Sequence, residues 1–139
     1  MRGLKDKVVV ITGAAGGIGK SLCRRFCEEG SHVVGLDLNQ EGLNQLAEQL
    51  KEYSSKLTLR TLDITDYAAV VSVIKSVHQE LGRIDALVNN AGWDVAMQFV
   101  ETTPEFWDKV IAINLRGPLN LQHAVVPLMI EAGGGKIIN

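Results

Sequence analysis

The chain has 139 residues with 14 Lys plus Arg against 16 Asp plus Glu, a formal charge of -2, so it is sized for one domain over 1–139 and lacks the basic excess that nucleic acid or an anionic bilayer would select. Hydrophobic residues make up 46% and charged residues 22%, the balance of a globular protein, and no apolar run approaches the roughly 20 residues a membrane span needs. The two cysteines, Cys23 and Cys27, lie one helical turn apart without a His or further Cys in metal-ligand register, so they read as packing residues, no metal is expected, and a reducing, cytoplasmic setting is the expectation.

Residues 8–19 read VVVITGAAGGIG, an apolar strand candidate (7–12) that turns through glycines into a helical segment (18–29). A loop whose backbone N–H groups must approach a pyrophosphate cannot carry Cβ atoms aimed at it, and the helix that follows offers the positive end of its dipole. Gly13 suits the turn out of the strand, and Gly17 and Gly19 fall where the helix begins. The spacing Gly-x3-Gly-x-Gly departs from the generic dinucleotide fingerprint Gly-x-Gly-x-x-Gly, so on this evidence the loop is equally well a plain turn.

A second apolar run (32–37) closes on Asp37, about 20 residues beyond the glycines, where a carboxylate accepts both ribose hydroxyls of an adenosine and repels a 2′-phosphate. Neither Leu38 nor Ala14 and Ala15 supplies a cation to offset that repulsion, which favours NAD over NADP. The other reading is that Asp37 only caps the next helix (40–51), although Asn39 is better placed to do so. Leu43, Leu46, Ala47 and Leu50 stripe that helix, and Val70, Val73, Ile74, Val77 and Leu81 stripe a third that ends at Gly82.

Strand candidates 57–62, 86–89 and 136–139 complete an alternation of strands and helices that predicts an α/β fold with a doubly wound parallel sheet. Asp63 and Ile64 follow the third strand, placed either to meet an adenine or merely to start a turn. Asn89-Asn90-Ala91-Gly92 follows the fourth strand, beside the glycines or simply as a turn. A fourth helix opens at Thr102 or Thr103 and runs towards Met129, with a bend expected near Gly117 and Pro118. Asn114 sits within it, either functional or a satisfied core amide.

Taken together, these motifs identify the chain as a member of the short-chain dehydrogenase/reductase family, which it resembles along its whole length. Residues 12–19 (TGAAGGIG) match the family's cofactor loop, Asp63 its adenine-side acidic position, Asn89-Asn90-Ala91-Gly92 its central motif, and Ile113-Asn114-Leu115 the asparagine of its catalytic tetrad. The resemblance implies a Rossmann-type sheet binding NAD through Gly13, Gly16, Gly17, Ile18, Gly19, Asp37, Leu38, Asp63, Ile64, Asn90, Ala91 and Gly92, with hydride exchanged between a secondary alcohol and a ketone. It also implies a small-molecule substrate, association into a homo-oligomer through the long fourth helix and the one after it, and a serine and a Tyr-x3-Lys pair beyond the fifth strand.

Neither the serine at that place nor Tyr-x3-Lys is present: Tyr53 and Tyr67 lack a lysine four residues on. The expectation is therefore a sheet truncated after about the fifth strand, the N-terminal part of a longer enzyme, inactive by itself because general acid-base transfer commonly contributes about 10²–10⁴-fold in rate. Two other readings are a non-catalytic NAD-binding half-domain and an interaction module using an open sheet edge. Trp93 and Asp94 either border the substrate or pack on the sheet, and the local Asn-Ala-Gly-Trp-Asp resembles reductases of hydroxyacyl-CoA compounds.

Overall fold

Runs of β-branched residues bounded by turn formers become strands because they fit a pleated, buried surface. The computed structural model, which describes residues 3–139, contains β1 (Val8–Thr12), β2 (His32–Asp37), β3 (Leu57–Thr61), β4 (Ala86–Val88) and β5 (Lys136–Ile138). Every strand boundary falls within one residue of its expected place. All four pairings are parallel, and the strand order is β3-β2-β1-β4-β5.

Side chains alternate across the strands, so the two faces carry separate cores. On one face Val9, Ile11 and Val33 pack under α1 (Gly17–Glu28) and α2 (Gln40–Gln49) through Cys23, Cys27, Leu43, Leu46 and Leu50. On the other, Val8, Val10, Val34 and Leu36 meet Val70, Ile74 and Val77 of α3 (Tyr67–Leu81) and Leu121, Val125 and Met129 of α5 (Gly117–Glu131). This is the expected doubly wound Rossmann-type arrangement. Both cysteines are core residues: burial pushes the Cys23 thiol up to about 12 and the Cys27 thiol to about 11, which keeps them protonated and unreactive.

Helix punctuation follows the side chains available. Asn39 accepts from the Gly42 N–H at 3.0 Å and opens α2, while Asp66 accepts from Ala69 N–H at 3.0 Å and opens α3. Thr103 accepts from Phe106 N–H at 3.3 Å and opens α4 (Pro104–Ile111). α1 and α3 stop ahead of the expected Gly30 and Gly82.

Two helices differ from their expected course. α2 ends at Gln49 rather than at residue 51, because Leu50 leaves helical geometry at φ -116° to bury itself and a 3₁₀ segment, Lys51–Lys56, follows. The long fourth helix is two helices, α4 and α5, joined by a π-helical segment, Ala112–Arg116. The irregularity lies just upstream of the expected Gly117–Pro118 bend; proline, which lacks an N–H, sits instead in the first turn of α5, where that donor has no helical partner anyway.

The sheet order places β1 between β2 and β4, so the chain reverses direction of travel across the sheet at β1, and the crevice opens at the carboxyl ends of β1 and β4. At the other end of the same strands, the Asp85 carboxylate accepts from Lys7 Nζ at 3.1 Å, Val8 N–H at 2.9 Å and Arg83 Nε at 2.8 Å. Burial works to raise the Asp85 carboxyl, but these donors outweigh it and hold the group below the usual carboxylate range. Among the described residues no helix is long and apolar enough to cross a membrane.

Candidate functional site

The β1–α1 turn is built by two glycines with different duties. Gly13 takes φ +67°, the left-handed conformation that lets the chain leave β1 sharply. Gly19 lets α1 close down on that turn, since a Cβ there would stand 2.0 Å from the Gly13 carbonyl oxygen. Gly17 is the contrast: a Cβ built on it meets nothing within 4 Å, so the fold itself does not require glycine at this position.

Asp37, at the end of β2, faces the turn. Its Oδ2 accepts from Ala15 N–H at 2.9 Å and its Oδ1 from Asn39 N–H at 2.9 Å. The carboxylate is thus locked between two loops, while Asn39 makes the α2 cap. Each carboxylate oxygen retains acceptor capacity beyond its single backbone donor.

After β3, Asp63 does what a turn residue does, accepting from Thr65 N–H at 2.8 Å and Thr65 Oγ1 at 2.7 Å, and it also lines the crevice. Ile64 is buried, and its carbonyl accepts from the Asn120 amide at 2.9 Å. After β4, the Asn90 amide points back into the β1 turn, donating to the carbonyls of Thr12 at 2.9 Å and Gly13 at 3.2 Å. Thr12 Oγ1 accepts from the N–H groups of Asn90 and Ala91 at 3.1 and 3.0 Å. The two loops are therefore sewn together behind the glycines.

Asn114 lies on the π-helical segment and is exposed, so it is not a core amide. It clamps one residue from both sides: its Oδ1 accepts from Trp93 N–H at 3.0 Å and its Nδ2 donates to the Trp93 carbonyl at 2.7 Å. The Trp93 ring packs at 5.5 Å from that of Phe106, and Lys109 Nζ stands 3.8 Å above the Trp93 ring centre.

These elements enclose a cleft of about 420 Å³. It is lined by Gly13, Gly16, Gly17, Ile18 and Gly19 from the turn, by Asp37, Leu38, Asp63 and Ile64, and by Asn90, Ala91 and Gly92, twelve residues that the sequence had singled out. Leu36, Leu62, Trp93 and Ile113 complete the wall. Asn114 does not line the cleft; it acts on it through Trp93. Sequence reasoning missed the tying role of Thr12, legible only as part of the glycine motif, and Asn120, a buried amide in an otherwise apolar stretch of α5.

The family model for short chain dehydrogenase matches residues 7–139. The chain belongs to the short-chain dehydrogenase family. It is 40% identical over 136 residues to a 3-oxoacyl-[acyl-carrier-protein] reductase of Thermotoga maritima, covering 98% of this chain and 55% of that protein. To the D-threitol dehydrogenase of Mycolicibacterium smegmatis it is 39% identical, covering 98% of this chain and 52% of the relative. The crystal structure of an NAD+-bound xylitol dehydrogenase superposes with a TM-score of 0.92 at 31% identity, covering 98% of this chain and 53% of that one. The chain thus spans about half the length of the curated relatives it matches.

Proposed function

We propose that the cleft binds NAD, and that in a protein of full family length it serves an oxidoreductase interconverting a secondary alcohol and a ketone of a small-molecule substrate. The observation that carries this is the pairing of Gly17 with Asp37. One offers a bare stretch of backbone where the fold has room for a side chain; the other presents a carboxylate held by the same turn. A pyrophosphate needs the first and an adenosine ribose the second.

In this reading the N–H groups at the start of α1 meet the phosphates, with Gly16, Ile18 and Gly19 shaping the approach. Asp37 accepts the ribose hydroxyls and excludes a 2′-phosphate. Leu38, Asp63 and Ile64 surround the adenine, and Asn90, Ala91 and Gly92 carry the wall on from the β1 turn. Bound NAD supplies the hydride acceptor or donor. Asn114 is the tetrad asparagine and holds the Trp93 backbone at the far wall. The chain contains no Tyr-x3-Lys, so by itself it binds the dinucleotide without turnover.

Trp107, Ile111, Leu115 and Leu119, all exposed at intervals of four residues along α4, the π-helical segment and α5, fit the proposed homo-oligomer, which light scattering would reveal. Free, buried Cys23 and Cys27 fit a cytoplasmic setting. Calorimetric titration with NAD and NADP tests the central reading: NAD binds and NADP binds more weakly. Equal affinity for both removes the Asp37 argument, and no heat from either removes the cofactor.

A further inference from the structure

Lys109 places a cation in the last turn of α4, where the helix dipole favours it, and among the described residues no acidic side chain partners it. On α4 the acidic residue one turn earlier, Glu105, is drawn to the helix start by its own N–H and by Thr103, which hold its carboxyl below the usual range. Asp94, next to Trp93, accepts from Val95 N–H at 2.8 Å. Among the described residues no carboxylate pairs with Lys109; its ammonium rests over the Trp93 indole at 3.8 Å. Lysine usually leaves its head in water, and a cation over an indole is favoured by the ring's negative face.

The backbone that carries the indole is pinned. Asn114 holds the Trp93 backbone by two hydrogen bonds and Phe106 packs beside the ring, while Trp93 itself lines the cleft next to Gly92 and Ile113. With the phosphates and ribose of the proposed NAD assigned to the α1 turn and Asp37, the Trp93 wall is the part of the lining left for the substrate. The arrangement therefore combines an apolar wall of the cleft with an exposed ammonium that rests on that wall, just outside the cleft lining.

Resting on that functional reading, we propose that Trp93 and Lys109 form a selecting rim for substrates bearing an anionic group, a carboxylate or a phosphate ester, with the indole packing the apolar stem and the ammonium pairing the anion. A hydroxyacid and a CoA thioester offer the two sources of that charge. Neutral polyols offer neither.

The test is calorimetry on the 139-residue chain, with and without saturating NAD, using 3-hydroxybutyrate, its uncharged methyl ester, and 3-hydroxybutyryl-CoA as probes. Lys109→Gln is expected to weaken at least one anionic probe about fivefold at low salt, the order expected of a part-exposed charge pair, and to leave the ester unchanged. Lys109→Arg is expected to keep the affinity, and added salt to erode the wild-type advantage. Loss confined to 3-hydroxybutyrate names the carboxylate as the anion recognised, and loss confined to the CoA probe names the phosphates. The proposal is overturned if Lys109→Gln binds both anions as wild type does, if the ester loses as much as they do, or if the wild-type chain takes neither anion. Failure of NAD to bind sinks the cofactor reading separately, because the probes are also titrated without it.

Discussion

Two glycines five Å or so apart along the same turn should fail differently when given a methyl group, since consecutive Cα atoms are about 3.8 Å apart and Gly17 and Gly19 are separated by one residue. In Gly19→Ala the new Cβ would lie 2.0 Å from the Gly13 carbonyl oxygen and 2.8 Å from Ala14 Cα, both backbone atoms. Neither can rotate away, so α1 must shift off the turn. Overpacking of this kind costs about 1–3 kcal/mol, from which the helix-propensity gain of alanine over glycine, at most about 1 kcal/mol, is recovered. A 2.0 Å approach to a backbone atom belongs at the upper end of that range, so the net expectation is a destabilisation of about 2 kcal/mol, with NAD binding weakened because the loop itself has moved. In Gly17→Ala the Cβ enters open space within the cleft, so stability should hold or rise by up to about 1 kcal/mol. NAD affinity should nevertheless fall by about tenfold or more, the equivalent of 1.4 kcal/mol, because the methyl occupies the approach of the pyrophosphate. Urea unfolding and calorimetry on both variants separate the two effects. Full NAD affinity in Gly17→Ala, or wild-type stability in Gly19→Ala, refutes the reasoning.

Asp37→Ala is expected to weaken NAD binding and to relax the preference against NADP, read by parallel titrations; because it also frees the Ala15 N–H, hydrogen exchange at Ala15 should accelerate. Asn114→Ala leaves the Trp93 N–H and carbonyl without their side-chain partner, so in a Trp107→Phe background the emission of Trp93 should shift and its polarisation fall. An unchanged spectrum contradicts the clamp. Asp85 has its folded pKa depressed, so its contribution to stability is present above its unfolded value and is lost as pH falls through the lower folded value. Asp85→Asn should therefore flatten the acid limb of a stability-pH profile, and an unaltered acid limb would show that Lys7, Arg83 and Val8 do not favour the charged form.

Much of this was legible beforehand, for reasons that differ between elements. The strands declared themselves because both sheet faces are covered, which demands near-continuous Val, Ile and Leu at Val8, Val9, Val10 and Ile11, a pattern that polar interruptions would have blurred. The helix caps Asn39 and Thr103 act through local geometry, which a local sequence encodes. The π-helical segment left no such mark. It carries Asn114, which bonds Trp93, 21 residues earlier, and a contact of that separation has no signature in the periodicity of the helix. The end of α2 was misplaced because Leu50 belongs to the apolar stripe in either geometry; its burial, not the spacing, decides where the helix stops.

The cleft residues were legible as a set because glycine, Asp37 and the Asn-Ala-Gly loop each limit what a strand end can do. Their roles divide only in three dimensions. Asn90, placed beside the glycines by sequence, spends its amide on the Thr12 and Gly13 carbonyls, so it shapes the β1 turn from behind. Asp63 makes a turn and also lines the cleft, so its turn role leaves it placed for the proposed adenine contact.

Amide chemical shifts of the isotopically labelled chain, recorded as NAD is added, address the binding site directly. The account predicts saturable shifts concentrated at Gly13, Ala15, Gly17, Ile18, Gly19, Leu38, Ala91 and Gly92, with a second groove, lined by Tyr67 of α3 and by Leu119, His123 and Val126 of α5, undisturbed. Shifts centred on that groove, or none at the glycine turn at saturating NAD, would contradict it.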